Sequence, residues 1–215
     1  MLIGDSGIHH YVGYAFGLAA QQKANDLQAQ GNKVIACRVS TIEDVNAALT
    51  LNGLVGGDVH YFGHSGLVGY TATTGGPITS YASMLFVGQG AGSDANIAAY
   101  NYTQLCSTNS GCNINTFLSS NTAIRINGCQ AAETVWDVYA QTYTSIARLL
   151  SNQLNRGVYA YDVGMYFSSK TPASDPYFNG EGRLAPGDLP VYMVPAGAPG
   201  NKPGPKGCRP FAGCS

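Results

Sequence analysis

The stretch DVHYFGHSG, residues 58 to 66, and the later TAIRINGCQAAE, residues 122 to 133, share one build. In each, an apolar strand-like run stops at a small-residue turn. Each turn carries one reactive side chain, His64 in the first and Cys129 in the second. How these two strand ends relate decides both the fold and the site.

Working outward, the flanking segments alternate between strand and helix patterns. MLIGDSG reads as a short strand and turn. Helical spacing of Phe16, Ala20, Ala24 and Leu27 predicts a helix over about 11–30, with Gly31 as its C-cap. KVIACRVS is a strand. Ser40 or Thr41 then caps a helix with Glu43 and Asp44 in its first turn and Ile42, Val45, Ala48 and Leu49 on its apolar face. LVGYTATT, GGPITS and ASMLFVG read as strands of a hairpin excursion. DANIAAYNYTQL reads as helical and INTFLSS as a further helical turn. The longest helix is expected over about 132–155, with Val135, Val138, Tyr139, Ile146, Leu149, Leu150 and Leu154 on one face. GVYAYDVGMYFS and LPVYMVPA read as strands, and the Gly- and Pro-rich chain from 197 onward as an irregular tail.

This alternation predicts an α/β fold: a mainly parallel sheet with helices on both faces, a single domain over 1–196 and a tail over 197–215. Sites in such sheets form at the carboxyl ends of strands, where His64 and Cys129 both fall.

Composition narrows the function. Only 11% of the 215 residues are charged, net charge is -1, and no basic run exists, which argues against nucleic-acid binding. No apolar run is long enough to span a membrane, and the N-terminus lacks a signal-peptide pattern. Either the protein is cytosolic or the chain is a domain of a larger exported protein. The low charge and the abundance of Asn and Thr favour the second.

Six cysteines are present. Cys106/Cys112 and Cys208/Cys214 share one spacing within polar, Gly-rich loops, so local disulfides are expected if the protein leaves the cytosol. Zinc is the rival reading, although five intervening residues exceed the usual two to four. Cys37, inside a strand pattern, reads as a buried small apolar residue. Cys129 stands in a setting of its own.

Four constellations are candidate sites. GHSGLVG resembles a nucleophile elbow, but Leu67 occupies the last glycine position and no histidine follows Ser65 to complete a triad. VGQGAGSD, residues 87 to 94, precedes an expected helix, but its glycines do not follow the dinucleotide pattern and no acidic residue lies about 20 positions on. His9 and His10 lack surrounding ligands at metal spacing. His64 with Cys129 is the strongest. A helix expected immediately after Cys129 would favour a thiolate. Gly128 would leave room for a substrate backbone. An imidazole would generate the thiolate or protonate a leaving amine.

At these residues the chain resembles the caspase-like cysteine peptidases, the group that includes caspases, metacaspases, legumain, gingipains, separase and bacterial CHAT-type domains. The likeness is nearest to the CHAT-like bacterial versions and covers roughly residues 1 to 170. It implies a three-layer α/β/α sandwich, Cys129 as nucleophile, His64 as general acid/base, and oxyanion donors at the Cys129 N–H and near Gly66, beside Gly128. There are departures. Ser65 stands between His64 and Gly66, and Ala132 replaces a common glycine. Asn127 stands where members specific for Arg or Lys often carry Asp, so that specificity is not implied. Asn127, Glu133 and Asp162 are the candidate substrate-pocket residues.

The expected function is therefore a cysteine endopeptidase acting on a protein or peptide substrate, requiring no metal or cofactor and engaging neither nucleic acid nor membrane. A parent polypeptide or an inhibitor protein is a further expected partner. The strand-like start leads to the expectation of a toxin or self-processing domain at the end of a larger exported bacterial protein. The alternative is an inactive caspase-like binding domain.

Overall fold

A computed structural model describes residues 1–4, 11–50, 56–88, 95–106, 113–162 and 207–210. Among them lie strands β1 (Leu2–Gly4), β2 (Ile35–Val39), β3 (Val59–Phe62), β4 (His64–Thr71), β5 (Ile78–Phe86), β6 (Asn96–Ile97), β7 (Ile124–Asn127), β8 (Val135–Asp137), β9 (Thr142–Thr144), β10 (Val158–Tyr159) and β11 (Gly207–Pro210). Helices α1 (Tyr11–Ala29), α2 (Ile42–Leu49) and α3 (Ile146–Leu154) accompany them. No helix among the described residues is long and apolar enough to cross a membrane.

The fold is mixed α/β with two sheets. The first has the order β10-β7-β3-β1-β2-β11, and only the β11–β2 pairing in it is antiparallel. All four residues of β3 are buried, as befits a strand in a parallel sheet covered on both sides. Side chains alternate between faces along a strand. Accordingly Leu2, Val59, Tyr61, Ile124 and Ile126 pack with the apolar residues of α2 and α3. Ile3 and Phe62 pack instead with Phe16, Ala19 and Ala20 of α1.

Helices α1 and α2 match their sequence signals. The Gly31 N–H reaches the Gln28 carbonyl and the Asn32 N–H the Leu27 carbonyl, with Gly31 at φ +84°, so α1 ends in a Schellman cap. At α2, Thr41 Oγ1 accepts from the Asp44 N–H at 3.1 Å while the Asp44 carboxylate accepts from the Thr41 N–H at 3.1 Å, a capping box. Burial opposes the charge on Asp44, but hydrogen bonds from Ser40 and Thr41 outweigh it and hold the carboxyl below its ordinary range.

The second sheet contains the expected hairpin, β4 against β5, and extends to β8 and β9, with β6 also on β5. Here two expectations are corrected. The long helix over 132–155 is instead the hairpin β8–β9 followed by the shorter α3. Asp137, with no exposed surface, accepts from the Ser83, Tyr139 and Ala140 N–H groups at 3.0, 2.9 and 3.0 Å, tying the hairpin turn to β5. The helix starts only at Ser145, whose Oγ accepts from the Arg148 N–H. Val135, Val138 and Tyr139 happened to fall at helical spacing while belonging to a hairpin. The second correction is over 95–105, which holds β6 and a 3-10 turn rather than a helix. Asn101 accepts from the Ala98 N–H and donates to the Asn96 carbonyl, giving the backbone a local alternative to a helix.

INTFLSS contains a single 3-10 turn over Ile114–Thr116. The expected strand LPVYMVPA lies outside the described residues, as do His9 and His10. Within the stretch read as an irregular tail, β11 is a strand on β2, and its register sets Cys208 opposite Cys37. Cys37 is buried as expected but is disulfide-bonded, which corrects its reading as a simple apolar residue. Cys106 is disulfide-bonded too; Cys112, its expected partner, lies outside the described residues.

Replacing Asp137 by Ala leaves three backbone N–H groups without their acceptor. A loss of about 3 kcal/mol or more is expected, read as a lower urea midpoint with an unchanged slope.

Candidate active site

The site begins with the pairing of β3 and β7. They run parallel and adjacent, with Val59 opposite Ile124 and Phe62 opposite Asn127. The Gly63 N–H continues the ladder to the Asn127 carbonyl at 3.5 Å. His64 and Cys129 therefore each stand two residues beyond the last matched pair, at the carboxyl ends of neighbouring strands. Both are half-buried.

His64 opens β4, so it sits where the chain passes from the parallel sheet to the second sheet. The Phe16 ring of α1 meets its imidazole edge-on, with centroids 4.8 Å apart at 78°. Tyr61 fixes this passage: its hydroxyl donates to the Phe86 carbonyl at 2.9 Å and to that of His64 at 3.4 Å. Cys129 keeps its thiol, in contrast to Cys37 and Cys106.

The strongest tie between the two turns comes from Ser65. Its side chain is 6% exposed, and its Oγ donates to the Cys129 carbonyl at 2.6 Å. In the sequence, Ser65 is a departure from the common His-Gly pair; in the structure it is the group that grips the cysteine turn. Gly128 is explained here too. A methyl group there would collide with Ser65 Oγ and the Gly63 carbonyl. The glycine thus permits close approach of the two turns, where room for a substrate backbone was expected.

The helix expected directly after Cys129 is absent; residues 128–134 are turn and coil leading into β8. The hairpin β8–β9 intervenes, yet α3 returns to the site. The Ala147 N–H in its first turn donates to the Ala131 carbonyl at 3.0 Å. A helix N-terminus therefore abuts the cysteine turn from a different place in the chain than its sequence position implied. Next to the cysteine, Gln130 holds φ +52°, a left-handed conformation that costs a non-glycine residue about 1 kcal/mol.

The other expected residues separate. Asn127 is 1% exposed, and its Nδ2 donates to the Tyr61 carbonyl at 3.0 Å, so it braces the strands rather than lining a pocket. Glu133 accepts from Gln130 Nε2 at 2.7 Å on the rim of the turn. Asp162 is exposed, next to Tyr161, whose carbonyl accepts from the Ala132 N–H. Gly66 is the third residue of β4, opposite Met84, and its α-carbon faces Gln130 Oε1. No group of three metal-ligating side chains forms among the described residues.

A cavity of about 790 Å³ lies at the other end of the first sheet, near the amino ends of its strands. Lys23, Leu27, Asp58, His60, Leu118 and Arg125 are among its lining. It contains neither His64 nor Cys129, and it falls at the end of the sheet where such folds do not place their sites. The Arg125–Asp58 ion pair at 2.6 Å closes one side. His60, on that wall, is 4% exposed. Burial, with help from the charge of Lys23, pushes its pKa down to about 4, so it is a neutral core histidine and no rival to His64.

No family model, no curated protein and no solved structure matches the chain. The chemistry must be argued from its own residues.

The buried His60 gives a pH signature with a definite sign. Its pKa is near 6.5 unfolded and about 4 folded, so between these values the unfolded chain binds more protons. Its contribution falls as pH drops from 6.5 toward 4, by about 3 kcal/mol in all. A His60→Phe variant should flatten the denaturation midpoint across that window; an unchanged pH slope would sink the assignment.

Proposed function

We propose that the chain is a cysteine endopeptidase with a caspase-like three-layer arrangement, Cys129 as nucleophile and His64 as general acid/base. The observation that supports this reading is that both follow the carboxyl ends of two adjacent parallel strands, each two residues beyond the last matched pair. Cys129 Sγ attacks the scissile carbonyl and forms a thioester as the C–N bond breaks; His64 gives the leaving amine its proton. Water, deprotonated by His64, then hydrolyses the thioester and regenerates the thiol.

The Ser65 bond bears on the oxyanion. It draws the Cys129 carbonyl toward β4. The Cys129–Gln130 peptide is trans, so the Gln130 N–H on the same peptide plane points the opposite way, away from β4. That N–H joins the Cys129 N–H as a donor for the developing negative charge. The strained φ of Gln130 is what such an orientation costs. The disulfides of Cys37 and Cys106 fit an oxidising compartment, and so a toxin or self-processing domain of a larger exported bacterial protein.

The replacement of the expected helix after Cys129 by a hairpin favours a second reading, a caspase-like binding domain without activity. A peptide library read by mass spectrometry separates the two. The parent protein should cut, while Cys129→Ala and His64→Ala should each lose at least about a thousandfold in kcat/KM. Ser65→Ala should lose about tenfold, mainly in kcat, the equivalent of one hydrogen bond in the transition state. If the parent cuts nothing, with calcium tried as an activator, the binding-domain reading replaces this one.

A further inference from the structure

Strand β4 begins at His64 and forms one end of the second sheet, whose order is β4-β5-β8-β9. Its inner edge pairs with β5 from His64 to Thr71. Its outer edge pairs with no strand among the described residues. At its near end that edge is occupied. Ser65 and Gly66 are successive strand residues that face opposite ways, yet Ser65 Oγ reaches the Cys129 carbonyl and Gly66 faces Gln130. The cysteine turn therefore sits against the edge itself. From Leu67 to Tyr70 no strand among the described residues pairs with that edge.

Native proteins guard such edges with charged side chains, prolines or bulges. Here β4 carries no Asp, Glu, Lys, Arg or Pro. Its one irregularity, a register shift between Tyr70 and Thr71, lies at the end far from His64. Between the occupied near end and that shift, the edge over residues 67–70 carries none of these guards. Residues 67–70 span about 13 Å, room for about four residues of an extended chain.

The flanking surfaces define what fits. On one face Val68 and Tyr70 pack against Ala82, Met84 and Ala98. The Tyr70 hydroxyl meets that of Tyr139 at 3.0 Å, and Tyr139 is 45% exposed. On the other face Ile78 is 54% exposed and lies over Gly69. The chain from Val59 to Ser93 contains no acidic residue, lysine or arginine.

We propose that residues 67–70 of β4 bind an extended peptide as an added strand, with uncharged residues alternately against Tyr70/Tyr139 and Leu67/Ile78, and with the chain running on past His64 and Cys129. Main-chain hydrogen bonds supply the affinity and the alternating side chains the selectivity. That the docked peptide is then cut rests on the peptidase reading; the docking does not.

The test holds a peptide at the site without requiring hydrolysis. An octapeptide of Ala, Val, Leu and Tyr, with one cysteine activated as a thionitrobenzoate mixed disulfide, is offered to the protein. The Cys129 thiolate attacks the peptide sulfur, forming the new S–S bond and expelling thionitrobenzoate. Tethering raises the local peptide concentration. Amide hydrogen exchange at residues 67–70 is then compared with that of the untethered protein. The expected result is at least tenfold slower exchange at alternate amides. N-methylation of every second peptide residue should abolish the protection in one phase and spare it in the other. Unchanged exchange at 67–70 overturns the proposal, as does capture of the uncharged peptide no faster than of a version carrying Lys and Glu. Protection without cleavage of any peptide by the parent protein would keep the docking strand and remove the peptidase. Cleavage without protection would do the reverse.

Discussion

The parallel pairing of β3 with β7 is the constraint on which the site depends. Four matched pairs fix the register, from Val59 opposite Ile124 to Phe62 opposite Asn127. A slip by one residue would turn each buried side chain to the opposite face. With Tyr61 and Ile126 packed under α2 and α3, and Phe62 under α1, such a slip is closed to the chain. Once the register is set, the two following turns must lie side by side. Gly128 lets them touch, and Ser65 bonds across the contact.

The second sheet shares an apolar core with the first through Leu85, Val87 and Ile97, and a few polar groups fix how the two connect. Tyr61 holds the passage from β3 to β4 through the Phe86 and His64 carbonyls. Asp137 ties the β8–β9 hairpin to Ser83 of β5, and Ser83 Oγ in turn accepts from the Ile146 N–H at the start of α3. The same few residues thus place the hairpin, begin the helix and bring its N-terminus to the cysteine turn. In a protein with so little surface charge, buried hydroxyls and carboxylates do the connecting that ion pairs do elsewhere. The Arg125–Asp58 pair, at the opposite end of the sheet, takes no part in it.

His60 and His64 show how position in one strand-and-turn divides two identical side chains. His60 lies within β3, under α1, where burial disfavours the imidazolium. His64 lies just beyond the strand, half-buried and next to the cysteine turn. The proposed proton transfer therefore falls to the second. Strand β4 starts at that same residue, so proposed chemistry and proposed recognition share one strand.

Local signals in the sequence were enough for the elements whose stability is local. The Thr41 capping box, the Gly31 cap, the apolar stripe of α2 and the runs that became β3 and β7 all follow from residue type and spacing. So does the nomination of His64 and Cys129, because a strand end needs only a change in pattern to be seen. Long-range partners decided the rest. Val135, Val138 and Tyr139 keep a helical spacing, but Asp137 and its three N–H donors make that segment a hairpin. Cys37 reads as an ordinary core residue until β11 returns antiparallel to β2 and sets Cys208 across from it. Ser65 reads as an interruption of a motif until the Cys129 carbonyl is found on its hydroxyl. Periodicity reports what one segment prefers alone. Ser83, Cys129 and Cys208, the distant groups in these three cases, lie 54, 64 and 171 positions away, and only the folded chain brings them close.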